Sequence, residues 1–468
     1  MRMNCLFLCL VATTSAANAM AEDTSRDQPE RPSLSAPTPL PAIAAPASEW
    51  KAIQEDRFLL KGQATYVAQT KPAFQAAYTL PGFNSLSSRN EQSRTATATA
   101  YLGARLWRDA EFYVNEEMVI GVPFSDLHGL AAVPNSEIQK ASGPNPLIYT
   151  PRAFLRQTWR LGGNAQQVPS DLNQLAGAIQ SHRLVLSVGK LSVMDIFDGN
   201  AYAHDGRHDF FNWVNVAGGA YDYAADVRGF SIGAALEYYN DQWAFRVGRF
   251  MVPRQSNGLQ LDYSIAKFHG DQVEIEHSHS LGGLPGKWRA LVFRNVEMMG
   301  RFDDALAYAT EHGGAVDVAN VRRANAKYGY VLGLEQSLAT DLNVFARLSW
   351  NNGQTEMFTY TEVERSASVG ASLGGSRWNR GQDTLAIAFT GNGLSQEHQD
   401  YLAAGGTGFL IGDGRLNYRT ERLVEAYYSL AMTKSCWLTA NWQHIVDPAY
   451  NADRGPVNIF GVRLHTEF

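Results

Sequence analysis

Stretch after stretch of this chain alternates apolar and polar residues with a period of two. After the N-terminal region, no apolar run reaches the roughly 18 residues that a membrane-crossing helix needs. In "TATATAYLGARLW", Ala96, Ala98, Ala100, Leu102, Ala104 and Leu106 share one face of an extended chain, and Thr95, Thr97, Thr99, Tyr101 and Arg105 share the other. Leu184, Leu186 and Val188 fall together in "HRLVLSVG", as do Phe230, Ile232, Ala234, Leu236 and Tyr238 in "FSIGAALEYY". In "DLNVFARLSWN", Leu342, Val344, Ala346, Leu348 and Trp350 stand against Asn343, Arg347 and Ser349. Between such runs lie turn-forming stretches, "YNDQ", "LGGLPGK", "NNGQ" and "GGSRWNRGQD". The chain is therefore built of strands.

A secreted β-sandwich or β-helix alternates in the same way, and the last stretch separates these readings. "VNIFGVRLHTEF" sets Phe460, Val462, Leu464, Thr466 and Phe468 against Gly461, Arg463, His465 and Glu467, and stops on the phenylalanine. In a soluble sheet the apolar face is core, and a frayed end would not bury a final Phe there. In a transmembrane barrel the apolar face looks to lipid and the polar face to water. Tyr or Trp near the ends of several strands suits an interfacial girdle. The sequence thus predicts an all-β fold, a transmembrane antiparallel β-barrel. At about 25 residues per strand and connection, the chain after its lead-in closes about 16 strands around a water-filled lumen.

The N-terminus reads as an export signal. Arg2, an apolar run from Leu6 to Ala12, and the small residues around Ala17-Asn18-Ala19 and Ala19-Met20-Ala21 follow the order of a cleaved signal peptide. We expect residues 1–21 to be the signal, 22–57 a flexible Pro/Ala-rich lead-in and 58–468 the barrel domain. Cleavage would remove Cys5 and Cys9 and leave Cys436 alone, so no intramolecular disulfide is expected. The formal charge of −6 carries no basic surplus and argues against a nucleic-acid partner.

The polar faces name the candidates for a solute path: Arg105, Glu111, Tyr113, Glu117, Arg156, Arg160, Arg246, Glu274, Glu276, Arg347, Glu425 and also Arg463. Opposed arginines and carboxylates around a pore offer donors and acceptors to hydroxyl groups. The densest polar-aromatic stretch, "GKLSVMDIFDGNAYAHDGRHDFFNW", is too polar to face lipid beyond its first residues. If its loop folds inward, Tyr202, Phe211 and Trp213 are candidates for stacking on sugar C–H faces. Its Asp195, Asp198, His204, Asp205, His208 and Asp209 match neither an EF-hand nor a zinc spacing, so no metal is expected. Nor is a catalytic site: there is no G-x-S-x-G, and His277 and His279 share a face without a local signature for a nucleophile.

The chain resembles the OprB-like carbohydrate-selective porins. The resemblance is carried by "GKLSVMDIFDGNAYAHD", "YLGARLWRDAEFYVNEEMVIGVPFSDLHGLAAVPNSE", "WAFRVGRFMVPRQSNG" and the ending from "GDGRLNYRTERLVEAYY" to Phe468. It implies an outer-membrane barrel, without cofactor, through which small neutral sugars such as glucose diffuse passively. It implies as partners the outer-membrane lipids and the barrel assembly machinery, which would read Phe468 as the terminal signal. It favours a monomer over a trimer. A general or hydroxy-acid diffusion pore is the alternative, and an outer-membrane hydrolase a more distant one.

Overall fold

The computed structural model describes residues 55–141 and 143–468. The expected signal peptide and most of the expected lead-in lie outside the described residues. The strands begin with β1 (Phe58–Lys71), β2 (Glu91–Trp107), β3 (Ala110–Val122), β4 (Leu147–Val168), β5 (Gly177–Leu191), β6 (Ser231–Asn240), β7 (Trp243–Phe250) and β8 (His269–Leu281). They continue with β9 (Leu284–Met299), β10 (Arg323–Ser337), β11 (Leu342–Asn351), β12 (Arg365–Gly374), β13 (Thr384–Gly393), β14 (Glu421–Thr433), β15 (Cys436–Val446) and β16 (Val457–Glu467).

Each strand pairs with its neighbours in sequence, and β1 closes antiparallel on β16 from Gln63↔Glu467 to Thr70↔Phe460. Closure leaves no sheet edge, which is the condition for strands in hydrocarbon. The side chains sort inside out relative to a soluble sheet. Leu102 is 46% exposed while its neighbour Tyr101 is 1% exposed. The same contrast sets Val462 and Phe460 outside and Arg463 and His465 inside β16. His277 and His279 belong to the outer surface, where His277 lies against Trp243 and Trp288 as part of an aromatic rim.

One rim carries short turns, the other long loops, and by that asymmetry the short-turn rim is periplasmic. The β8–β9 turn consists of Gly282 and Gly283, both at positive φ, as a type I′ hairpin requires. On the other rim, loops carry the helices α2 (Phe302–His312) and α3 (Gln396–Ala403), numbered after a single turn α1 (Trp213–Val216) in the β5–β6 loop. Ser395 caps α3 by accepting from His398 N at 3.1 Å. Leu130, Phe302, Tyr401, Leu410, Ile411 and Tyr450 join these loops in one apolar cluster over the outer end.

The β5–β6 loop, residues 192–230, does not join that cap as a whole. It turns down into the barrel and meets inward side chains from most of the wall. Phe210 and Val216 pack there on Phe345, Ala386, Ala388 and Tyr427.

Candidate transport path

The lumen wall divides into two sectors. From β6 to β10 it carries charges of alternating sign on neighbouring strands. Residues directly opposite in an antiparallel pair sit about 4.5–5.5 Å apart at Cβ, and the register sets Glu237 against Arg246, Arg246 against Glu274, Glu276 against Arg289 and Lys287 against Glu335. Arg246 donates to Glu274 at 2.6 Å, to Glu276 at 3.1 Å and to Glu237 at 3.3 Å. Arg289 bridges Glu276 at 2.8 Å and Glu335 at 3.2 Å. All of these are buried. The wall neutralises itself strand by strand.

From β11 round to β3 the inward charges go mainly to the β5–β6 loop, which the first sector touches only through Glu274, accepting from Asp198 N at 2.7 Å, and Glu335, accepting from Ala201 N at 2.8 Å. Arg347 donates to the carbonyls of Ala203 at 2.7 Å and Asn215 at 3.2 Å, and its Nε lies 3.3 Å from Asp198 Oδ1. Glu425 accepts from the backbone N–H of Phe211 and from the Asn215 amide, both at 2.6 Å. Arg463 donates to the carbonyls of Gly206 at 2.8 Å, Asp209 at 3.0 Å and His208 at 2.6 Å. From the loop itself, Arg207 reaches out to Glu117 at 2.5 Å and Glu137 at 2.7 Å. Non-helical backbone at membrane depth has to find its hydrogen bonds in the protein, and these residues supply them.

At the short-turn end the two sectors flank a small cleft that opens to solvent. It brings together Arg105, Glu111, Arg156 and Arg160 with Arg183 and Tyr239. The β4–β5 turn closes over one side: Arg105 donates to Ala176 O at 3.1 Å and Arg156 to Asn173 O at 3.0 Å. Tyr113 supports this floor, its hydroxyl donating to Glu111 at 2.7 Å and accepting from Leu175 N at 3.1 Å. The Arg183 guanidinium lies 3.7 Å from the Tyr239 ring centre. The cleft therefore gathers fixed cations and carboxylates in one small space, with Tyr239 buried beneath Arg183.

The aromatic candidates of the loop pack largely against the wall and one another. Phe211 is buried, with the Arg463 guanidinium 4.5 Å from its ring. Trp213 packs between Tyr360 at 5.0 Å and Tyr223 at 6.2 Å. Trp213 and Tyr202 keep partial exposure, the Tyr202 hydroxyl 3.0 Å from Ser337 Oγ. The loop spends its large rings on seating itself.

Alternation could have named several residues the sequence reading passed over. Arg183 opposes Leu184 in β5, Glu237 opposes Leu236 in β6, and Arg289 and Glu335 carry the same signal in β9 and β10. Arg207 had no such signal, because a loop has no period. Of the six residues weighed together as metal ligands, Asp195 is paired with Arg152 at 2.6 Å and Asp198 with Arg347, so they do not converge.

The model of the family described as carbohydrate-selective porin, OprB family, matches residues 55–468. Among solved structures, the high-pH structure of Pseudomonas putida OprB is similar with a TM-score of 0.67 at 15% sequence identity, over 88% of this chain and 94% of that one. That likeness bears on the fold. The low-pH structure of Pseudomonas putida OprB matches with a TM-score of 0.47 at 12% identity, over 88% and 93% of the two chains. Salmonella typhi OmpF, in complex with daunomycin, matches with a TM-score of 0.46 at 12% identity, over 89% and 100%. No curated protein sequence matches the chain.

Proposed function

This chain belongs to the carbohydrate-selective porin, OprB family, and from that premise we propose which solutes it takes and where they meet it. It is a β-barrel porin of the bacterial outer membrane that admits carbohydrates; family and fold are those of a channel rather than an enzyme. The finer reading is passive diffusion of monosaccharides such as glucose, without cofactor.

The observation that carries this reading is the cleft at the periplasmic end. Arg105, Glu111, Arg156, Arg160, Arg183 and Tyr239 line it together. Arginine offers five donors in a planar fork and the carboxylates offer acceptors, so a ring of hydroxyl groups can exchange water for fixed partners. The exchange costs a neutral sugar little. A zwitterion of equal size gives up more hydration and meets a wall whose charges are already paired. The buried Glu117, Arg246, Glu274, Glu276, Arg347 and Glu425 then act on the path indirectly, by shaping it.

Liposome swelling tests this, with glucose, a disaccharide and an amino acid of glucose-like size. Faster swelling with glucose than with the amino acid is expected. Equal rates would make the protein a general diffusion pore, and preference for a hydroxylated ring acid would move the substrate to that class.

We further propose residues 1–21 as a cleaved signal, checked by N-terminal sequencing of the mature protein, and residues 22–57 as a flexible lead-in, checked by its early loss on limited proteolysis. Phe468 is proposed as the signal that the barrel assembly machinery reads. Its backbone N–H donates to Gly62 O at 2.9 Å, in line with the β1–β16 seam. Phe468→Ala should lower the yield of folded barrel in the outer membrane severalfold. The assembly is proposed to be a monomer surrounded by lipid; cross-linking to a trimer in native membranes would refute that.

A further inference from the structure

His465 and Glu467 stand two residues apart on the inner face of β16, and His208 comes to meet them from the inward loop. His208 Nε2 lies 2.8 Å and His465 Nε2 3.3 Å from one and the same oxygen, Glu467 Oε1. The three donor atoms fall within 4.8 Å of one another. The two imidazole rings are 4.3 Å apart at their centres.

As a hydrogen-bond set it is satisfied, since one carboxylate oxygen can accept from both rings. As a ligand set it is complementary. Zinc takes imidazole nitrogen and carboxylate oxygen at about 2.0–2.2 Å in a tetrahedron, which places neighbouring donors roughly 3.4 Å apart. The two nitrogen-to-oxygen separations, 2.8 and 3.3 Å, lie just under that spacing, within reach of a small side-chain shift. We propose that His208, His465 and Glu467 bind a divalent first-row transition metal, Zn²⁺ foremost, and so tie the inward loop to the last strand.

The surroundings orient each ligand. Thr65 Oγ1 lies 2.7 Å from His465 Nδ1, the kind of outer partner that fixes a ligating histidine's tautomer and aims its Nε2. His208 is held through its backbone: its carbonyl accepts from Arg463 at 2.6 Å and its N–H donates to Asp205 O at 3.1 Å. The Arg463 guanidinium is occupied by loop carbonyls rather than directed at the carboxylate. Trp437 walls the site, its ring 5.0 Å from His208 and 5.8 Å from His465. The side chains of His208 and Glu467 keep 21% and 16% exposure, so an ion can enter from the lumen and keep a water as fourth ligand. Two nitrogens in three donors disfavour Ca²⁺ and Mg²⁺.

The test uses the full mature barrel, refolded in detergent and stripped with a chelator. Zn²⁺ is titrated by calorimetry, and Co²⁺ is followed by its visible d–d bands. One metal per chain and four-coordinate Co²⁺ bands are expected. His208→Ala and Glu467→Gln should each weaken binding at least tenfold while keeping the heat-dependent gel mobility of a folded barrel. His208 lies on a loop and is part-exposed, so its loss tests the site even if His465→Ala fails to fold. The proposal is overturned if the folded wild type takes up no Zn²⁺, or if His208→Ala binds it as tightly as wild type.

Discussion

The β6–β10 wall and the β11–β3 wall use the same residue types for opposite ends. In the first, arginine meets glutamate across strand pairs and most of the charge is matched within the sheet, although Glu274 and Glu335 each also accept one N–H of the loop, from Asp198 at 2.7 Å and Ala201 at 2.8 Å. In the second, Arg347, Glu425 and Arg463 spend their hydrogen bonds on the backbone and amides of a loop. Charge on a lumen face therefore does not by itself mark a solute contact. Where a loop occupies the lumen, part of the charge is scaffolding for that loop.

The largest effect that would break the comparison is expected at Arg347. Arg347→Met leaves the Ala203 and Asn215 carbonyls without their donor and Asp198 without its cation. Loss of one partner from a buried pair costs about 3–5 kcal/mol. We expect a lower temperature for the gel-mobility transition and faster swelling with a disaccharide, as the loop loosens. A variant that keeps wild-type size discrimination would show that the loop is seated without this anchor.

Arg246→Met should damage the self-paired wall, with a difference that sharpens the contrast. It takes a cation from Glu237, Glu274 and Glu276, of which Glu276 keeps Arg289, and the fault can be repaired from within the wall. The double variant Arg246→Met/Glu274→Gln should recover part of the loss, with a coupling of about 0.5–3 kcal/mol. No single wall substitution should rescue Arg347→Met in the same way. Thermal unfolding of the two singles and the double closes the cycle.

A smaller effect is expected at the cleft, where Arg183 stacks on Tyr239. Arg183→Gln removes a cation without unseating the loop. The glucose-to-amino-acid swelling ratio should fall a few-fold while the mobility transition stays put. An unchanged ratio would take Arg183 off the path.

The fold was legible because alternation with period two is a property of every strand, and it survives without any knowledge of partners. It identified which face of β2, β11 and β16 looks inward. The use of each inward residue was not legible. Whether Glu425 meets a solute or a backbone N–H depends on where residues 192–230 go, and a loop without period carries no signal for that. The burial of Phe211 was not legible for the same reason, since a polar-aromatic stretch reads alike whether its rings face water or a wall.

The smallest effect concerns the outer cap. Glu362 is buried there, and burial pushes its carboxyl above the usual range, although His398 and the backbone N–H of Leu410 pull the other way. A carboxyl whose folded value is raised favours the folded loops fully at pH below its unfolded value. That contribution is lost as pH rises through the raised value. The cap should therefore be tighter in acid and loosen toward neutral pH. Protease cleavage within the β13–β14 loop, which carries α3, should accelerate a few-fold across that window in wild type relative to Glu362→Gln. A wild type and variant that change in parallel would assign the slope to another group.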